Sequence, residues 1–143
     1  MTRKLIIIGT IMSLILVAIS LSCTSSPATS PSDSTEGVSL ENDVQPIFSQ
    51  NCVTCHQGGS PQGGLSLEPA EAYEELVNVP SMQSDLTLVE PEEPDNSYLI
   101  DKLNGTHLEA GGNGAQMPFG QSPLSQSQID LISQWISEGA ADN

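Results

Sequence analysis

Apolar residues fall into four short runs with helical spacing, separated by polar, glycine- and proline-rich stretches. Leu40, Val44, Ile47 and Phe48 recur at three- and four-residue intervals after Ser39, a residue suited to an N-cap, and predict a helix. Pro46 interrupts it, so the helix proper either starts near that residue or bends there, because proline lacks an N–H and clashes with the preceding turn. A second short helix is predicted from about Pro69 to Val77, with Ala72, Tyr73 and Leu76 on one face. A third begins near Ser97, carries Tyr98, Leu99, Ile100 and Leu103, and stops at Gly105.

The fourth is the strongest. Ser125 and Gln128 form a capping box, and Leu124 and Ile129 are placed for a hydrophobic staple. Ile129, Ile132 and Ile136 share a face with Trp135 at its edge, and Gly139 ends the helix. No alternation long enough for a strand is present, so the predicted class is all-α, with about 4 short helices.

The first residues have a different pattern. Arg3 and Lys4 precede a nearly unbroken apolar run from Leu5 to Leu21, shorter than the roughly 20 residues of a typical membrane-spanning helix. This reads as an export signal over 1–22. Ser20-Leu21-Ser22 suits an ordinary signal peptidase, whereas Leu21-Ser22-Cys23 is an imperfect lipobox. Cysteine accounting favours lipidation of Cys23, since ordinary cleavage would leave an unpaired thiol in an oxidising compartment. An uncleaved anchor is a third reading.

Residues 23–37 form a Ser/Thr/Pro-rich tether without hydrophobic periodicity; as polyproline, the stretch from Thr24 to Gly37 would reach about 40 Å. The folded domain is expected over 38–143, outside the cytoplasm, at the periplasm or cell surface, and held to a membrane through Cys23.

Between the first two helices lies Cys52-Val53-Thr54-Cys55-His56, a C-x-x-C-H motif. In this order two thiols can add across the vinyl groups of haem, and the adjacent imidazole can bind one axial face of the iron. On a helix the three positions are related as i, i+3 and i+4 and leave from one face. A thioredoxin-like couple would want a strand before the motif and a long helix after it, but Gly58-Gly59-Ser60-Pro61 follows. A zinc site would need two further ligands from His56 and His107. A Cys52–Cys55 disulfide would close a very small, strained loop. The cofactor expected is one covalent haem c.

A second axial ligand must come from Met117, His107 or Met82, with lysine ligation falling to Lys102 alone. Met117 is preferred: Pro118 drives it to an extended conformation, in a loop passing from one helix to the next. His107 would give a lower potential. An open site would imply gas binding or peroxidase-like chemistry, as in a haem-based ligand or redox sensor. Aromatic residues are few (Phe48, Tyr73, Tyr98, Phe119 and Trp135), so a buried porphyrin would supply much of the apolar surface, and the haem-free chain is expected to be weakly stable.

Charge limits the partners. The chain carries 18 acidic side chains and a formal charge of −15. Removal of Arg3 and Lys4 leaves one base against 18 acids, a formal −17. Nucleic acid and anionic membrane surfaces would repel it, whereas a basic docking face on a redox protein would attract it. Glu90, Glu92, Glu93 and Asp95 lack EF-hand spacing and read as a solvated loop. Nothing resembles a catalytic triad or a phosphate-binding loop.

Val44-Gln45-Pro46-Ile47-Phe48 before the C-x-x-C-H motif, Gly63-Gly64-Leu65-Ser66-Leu67, Ser97-Tyr98-Leu99, Gln116-Met117-Pro118 and Leu131 to Ala140 together resemble the bacterial c-type cytochrome domains of the planctomycete-type and related groups. The resemblance spans about Leu40 to Ala140. It implies a small cytochrome c fold packed around one haem, with Cys52 and Cys55 as thioether partners, His56 as proximal and Met117 as distal ligand. Where such domains often have a glycine-rich turn before the third helix, this chain is acidic and proline-broken. The activity implied is electron transfer and not catalysis, with any catalytic partner on a separate polypeptide.

Overall fold

A computed structural model describes residues 37–143. The export signal, Cys23 and the tether up to residue 36 lie outside the described residues. Among the described residues four α-helices are formed: α1 (Gln45–Asn51), α2 (Ala72–Leu76), α3 (Tyr98–Asn104) and α4 (Gln126–Ser137). No strand is formed among the described residues.

Both alternatives at Pro46 contain part of the outcome. Ser39 caps the first turn by accepting from Asn42 N–H, but Leu40–Val44 is wound as a wide π-turn, with Val44 and Gln45 N–H bonded five residues back to Ser39 and Leu40. Regular α geometry starts only at Gln45, so Pro46 sits in the first turn of α1, where its missing N–H is tolerated. α2 is shorter than its sequence suggests. Residues 69–71 form turns ahead of it, with Glu71 and Ala72 N–H both bonded to Glu68 O.

α3 ends as expected at Gly105, whose φ of 80° is the left-handed value that glycine adopts freely. At its other end Ser97 does not cap the helix. Its buried hydroxyl accepts from Glu90 N–H (2.9 Å) and donates to Glu93 O (3.0 Å), so the acidic stretch is tied to α3 instead of lying wholly in solvent. Glu90 also accepts from the Thr87 hydroxyl at 2.9 Å.

α4 carries both halves of its capping box, and Leu124 and Ile129 are buried together in the core. Trp135 was expected at the edge of the face formed by Ile129, Ile132 and Ile136. It is fully buried, with Nε1–H donating to Ala141 O at 2.9 Å, which satisfies the indole's one polar group. It shares one core with Leu40, Val44 and Phe48 from the first helical segment, Ile132 and Ile136 from α4, and Leu103 from α3. α4 packs on the π-turn and on α3. Asn143 O accepts from Glu41 N–H (2.8 Å) and the Ser39 hydroxyl (2.7 Å), joining the first described turn to the last residues.

One feature was invisible in the hydrophobic pattern. Residues 77–89 double back through isolated bridges, Val77 with Val89 and Pro80 with Thr87, and a third joins Thr87 to Ser97. Leu88 N–H to Val79 O (2.7 Å) and Leu99 N–H to Leu88 O (3.0 Å) hang this loop on α3.

Candidate haem site

α1 stops one residue before the motif, and Cys52 is its C-cap. The helical relation expected of 52, 55 and 56 is therefore carried by hydrogen-bonded turns, with Cys55 and His56 N–H both bonded to Cys52 O at 3.0 Å. The outcome for the side chains is the same: all three line one cavity of about 600 Å³. That volume lies in the range of cofactor pockets. Its walls include Phe48, Leu65, Leu67, Leu76, Leu88, Leu99 and Leu103.

His56 is oriented by the chain that follows. Its Nδ1 lies 3.0 Å from Leu65 O. A carbonyl can only accept, so Nδ1 carries the proton and Nε2 keeps the lone pair with which imidazole binds a metal. Leu67 N–H to His56 O (2.9 Å) and Gln62 N–H to Cys55 O (3.0 Å) fold the intervening loop against the motif. Gly63 and Gly64 turn that loop at φ of 68° and 67°.

Both motif cysteines are free thiols. Burial, and then the neighbouring Cys55, pushes the Cys52 thiol up to about 11. A redox dithiol or a zinc site calls for the opposite, a thiolate stabilised near neutral pH. Among the described residues no group of three or more His, Cys, Asp and Glu is arranged to hold a metal ion.

Met117 is half-buried and reaches the same cavity from the other end of the sequence. The last turn of α3 holds it there. Met117 N–H donates to Lys102 O (2.9 Å) and Gln116 Nε2 to Leu103 O (2.7 Å), so carbonyls left without partners at the helix end fasten the loop. Met82 also borders the cavity but is 82% exposed. His107 is not among the lining residues. It is buried, with Nε2 against Gly114 O at 3.2 Å, and its Nδ1 has no partner. A Cβ at Gly112 would meet His107 O at 2.7 Å and collide with the Tyr98 hydroxyl, so this glycine allows the loop to close over His107.

Residues 52–118, from the first motif cysteine to the proline after Met117, match the family model described as planctomycete cytochrome C. This region is similar to the c-type cytochromes of that family, over a little less than half of the chain. The family implies a covalently bound haem c and haem-based electron transfer. The residues present fit that group: two free thiols, an imidazole with its lone pair set by Leu65 O, a thioether and an apolar wall share one cavity of suitable volume.

Among solved structures, the chain is similar to Kuenenia stuttgartiensis hydrazine synthase at 25% identity and a TM-score of 0.46. The likeness covers 72% of this chain and 16% of that one, so the chain spans a small part of that protein. No curated protein matches.

Sequence reasoning missed the wall formed by Val79, Pro80, Ser81, Met82 and Gln83, and the place of Lys102 and Tyr98 beside it. The bridges that build this wall pair residues whose pattern is not strand-like. Only the isolation of Lys102 as the one base after residue 4 was a visible signal.

Proposed function

We propose that this protein is a monohaem c-type cytochrome that carries one electron at a time between partners outside the cytoplasm. The observation that carries the reading is the convergence of Cys52, Cys55, His56 and Met117 on one largely apolar cavity. Cys52 and Cys55 would hold the haem by adding each S–H across one vinyl group, a reaction that needs no oxidant. When bound, haem supplies a reversible one-electron change at iron.

The chain's own residues set the conditions for that change. The Leu65 carbonyl holds the His56 ring and raises the basicity of the imidazole that would bind the iron. Met117 would offer a thioether to the iron, a ligand that favours the reduced state and a higher potential. Phe48, Leu67, Leu76 and Leu103 are buried and keep water from the cavity wall. With no bond of a substrate made or broken, the protein is a carrier, or an accessory subunit of an oxidoreductase, and not an enzyme by itself.

The export signal over 1–22, a lipid on Cys23 and the tether would hold the domain 38–143 to a membrane in the periplasm or at the cell surface. The acidic surface suits a redox partner with a basic docking face. The test is to produce the full chain in a host with haem-attachment and export machinery. One haem retained through denaturing electrophoresis, and a mass showing signal removal and acyl chains on Cys23, are expected. In the oxidised protein a far-red sulfur-to-iron band should vanish in Met117→Ala and persist in His107→Ala. A colourless protein overturns the reading, and a five-coordinate spectrum in the wild type replaces it with a ligand sensor.

A further inference from the structure

Within residues 37–143 there is one basic side chain, Lys102. It lines the cavity from α3 and is only 8% exposed. Its ammonium donates to Gln83 Oε1 (3.3 Å) and Asn113 O (3.2 Å) and lies 5.9 Å from the centre of the Tyr98 ring. The Tyr98 hydroxyl donates to the same Gln83 Oε1 at 3.3 Å. Gln83, Tyr98, Lys102 and Asn113 thus form a polar corner in an otherwise mostly apolar cavity.

The charge balance in this corner is incomplete. Both acceptors are neutral, both bonds are long, and an ammonium has three N–H groups to place. Burial lowers the Lys102 pKa, and no carboxylate counters that effect. A charged group this buried is ordinarily paired with an opposite charge. In a chain with 18 acidic side chains an internal partner was available to the sequence, yet the hydrogen bonds of Lys102 go to an amide and a peptide carbonyl.

The missing anion has the chemistry of a carboxylate delivered by whatever fills the cavity. Haem carries two propionates on pyrrole rings other than those bearing its vinyl groups. We propose that Lys102 anchors a haem propionate, with Gln83 and Tyr98 steadying the ammonium, so that the macrocycle is held by Cys52 and Cys55 at its vinyl edge and by an ion pair at its propionate edge. This rests on the haem-binding reading above.

Two consequences follow from electrostatics. The ion pair offsets propionate charge near the iron, which disfavours the ferric state and raises the potential. It also adds a fastening point that is independent of either axial ligand.

The experiment uses the full chain, exported and loaded with haem. In the reduced, diamagnetic wild type, nuclear Overhauser contacts from the Lys102 ε-methylene to propionate methylene protons are expected. Contacts to a different porphyrin edge, or none to the porphyrin, overturn the proposal without needing any variant. In Lys102→Met, and in Lys102→Gln should the first not accumulate, covalent haem and the far-red band should persist while the potential falls. Lys102→Arg should keep a potential near the wild type. An unchanged potential in the uncharged variants overturns the propionate anchor and leaves the electron-carrier reading standing. Absence of covalent haem from the wild type removes that reading and the anchor together.

Discussion

The two sides of Phe48 are built on different principles. On one side, Val44, Ile132, Trp135 and Ile136 are fully buried and close on one another, so that the helical core completes itself from its own side chains. On the other, the cavity is walled partly by residues of α1, α2 and α3 and partly by the loop segments 62–65, 79–83 and 117–121. Helices bury an apolar stripe against another stripe and satisfy their own backbone; the loops are held by a few scattered hydrogen bonds, such as Met117 N–H to Lys102 O and Leu99 N–H to Leu88 O. The comparison marks α4 and its contacts as the scaffold, and leads to the expectation that the loop walls of the cavity gain order from a bound group.

The largest test separates the two sides directly. In Cys52→Ala/Cys55→Ala, covalent haem is lost completely, and hydrogen exchange should show 79–83 and 113–121 exchanging close to the unfolded rate while Ile132 to Ile136 stay protected. Uniform loss of protection would mean that scaffold and cavity form one cooperative unit. Next comes Trp135→Ala, expected to destabilise by about 3–5 kcal/mol through the cavity it leaves, measured by urea unfolding of the haem-loaded protein. A value near that of a surface substitution would place the centre of the scaffold elsewhere.

Smaller effects sharpen the same division. Ser125→Ala removes the capping box of α4 and should reduce stability by about 1 kcal/mol, with the far-red band unchanged because nothing at the haem site rests on that cap. The smallest effect concerns Glu138, which accepts from Gln134 and from Val38 N–H. The Gln134 side-chain hydrogen bond, and then the Val38 backbone bond, lower its pKa, so its contribution is present above the ordinary carboxylate range and disappears as pH falls through the lowered value. Val38 amide exchange should quicken in acid in the wild type, and Glu138→Gln should flatten that pH dependence.

Much of the scaffold was legible beforehand. Ser125 with Gln128, Gly105 after Leu103, and the Ile129, Ile132 and Ile136 spacing all act within a turn or two of chain, where local hydrogen bonds and periodicity decide the outcome. The full burial of Trp135, at the edge of the apolar face in the sequence, reflects the packing of α4 on the π-turn and α3, which the wheel of one helix does not show. The motif Cys52, Cys55 and His56 was legible because its chemistry requires near neighbours.

Sequence alone therefore determined the all-helical class, the ends of α3 and α4, and the residue types offered to a haem, since each depends on short-range sterics, capping or covalent spacing. Tertiary structure decided which distant groups share the cavity. Met117 faces it while His107 is turned into the 107–114 loop, and Lys102 looks inward beside Gln83. Those choices depend on how α3 and the 77–89 loop pack, and packing joins residues whose separation along the chain carries no periodic signal.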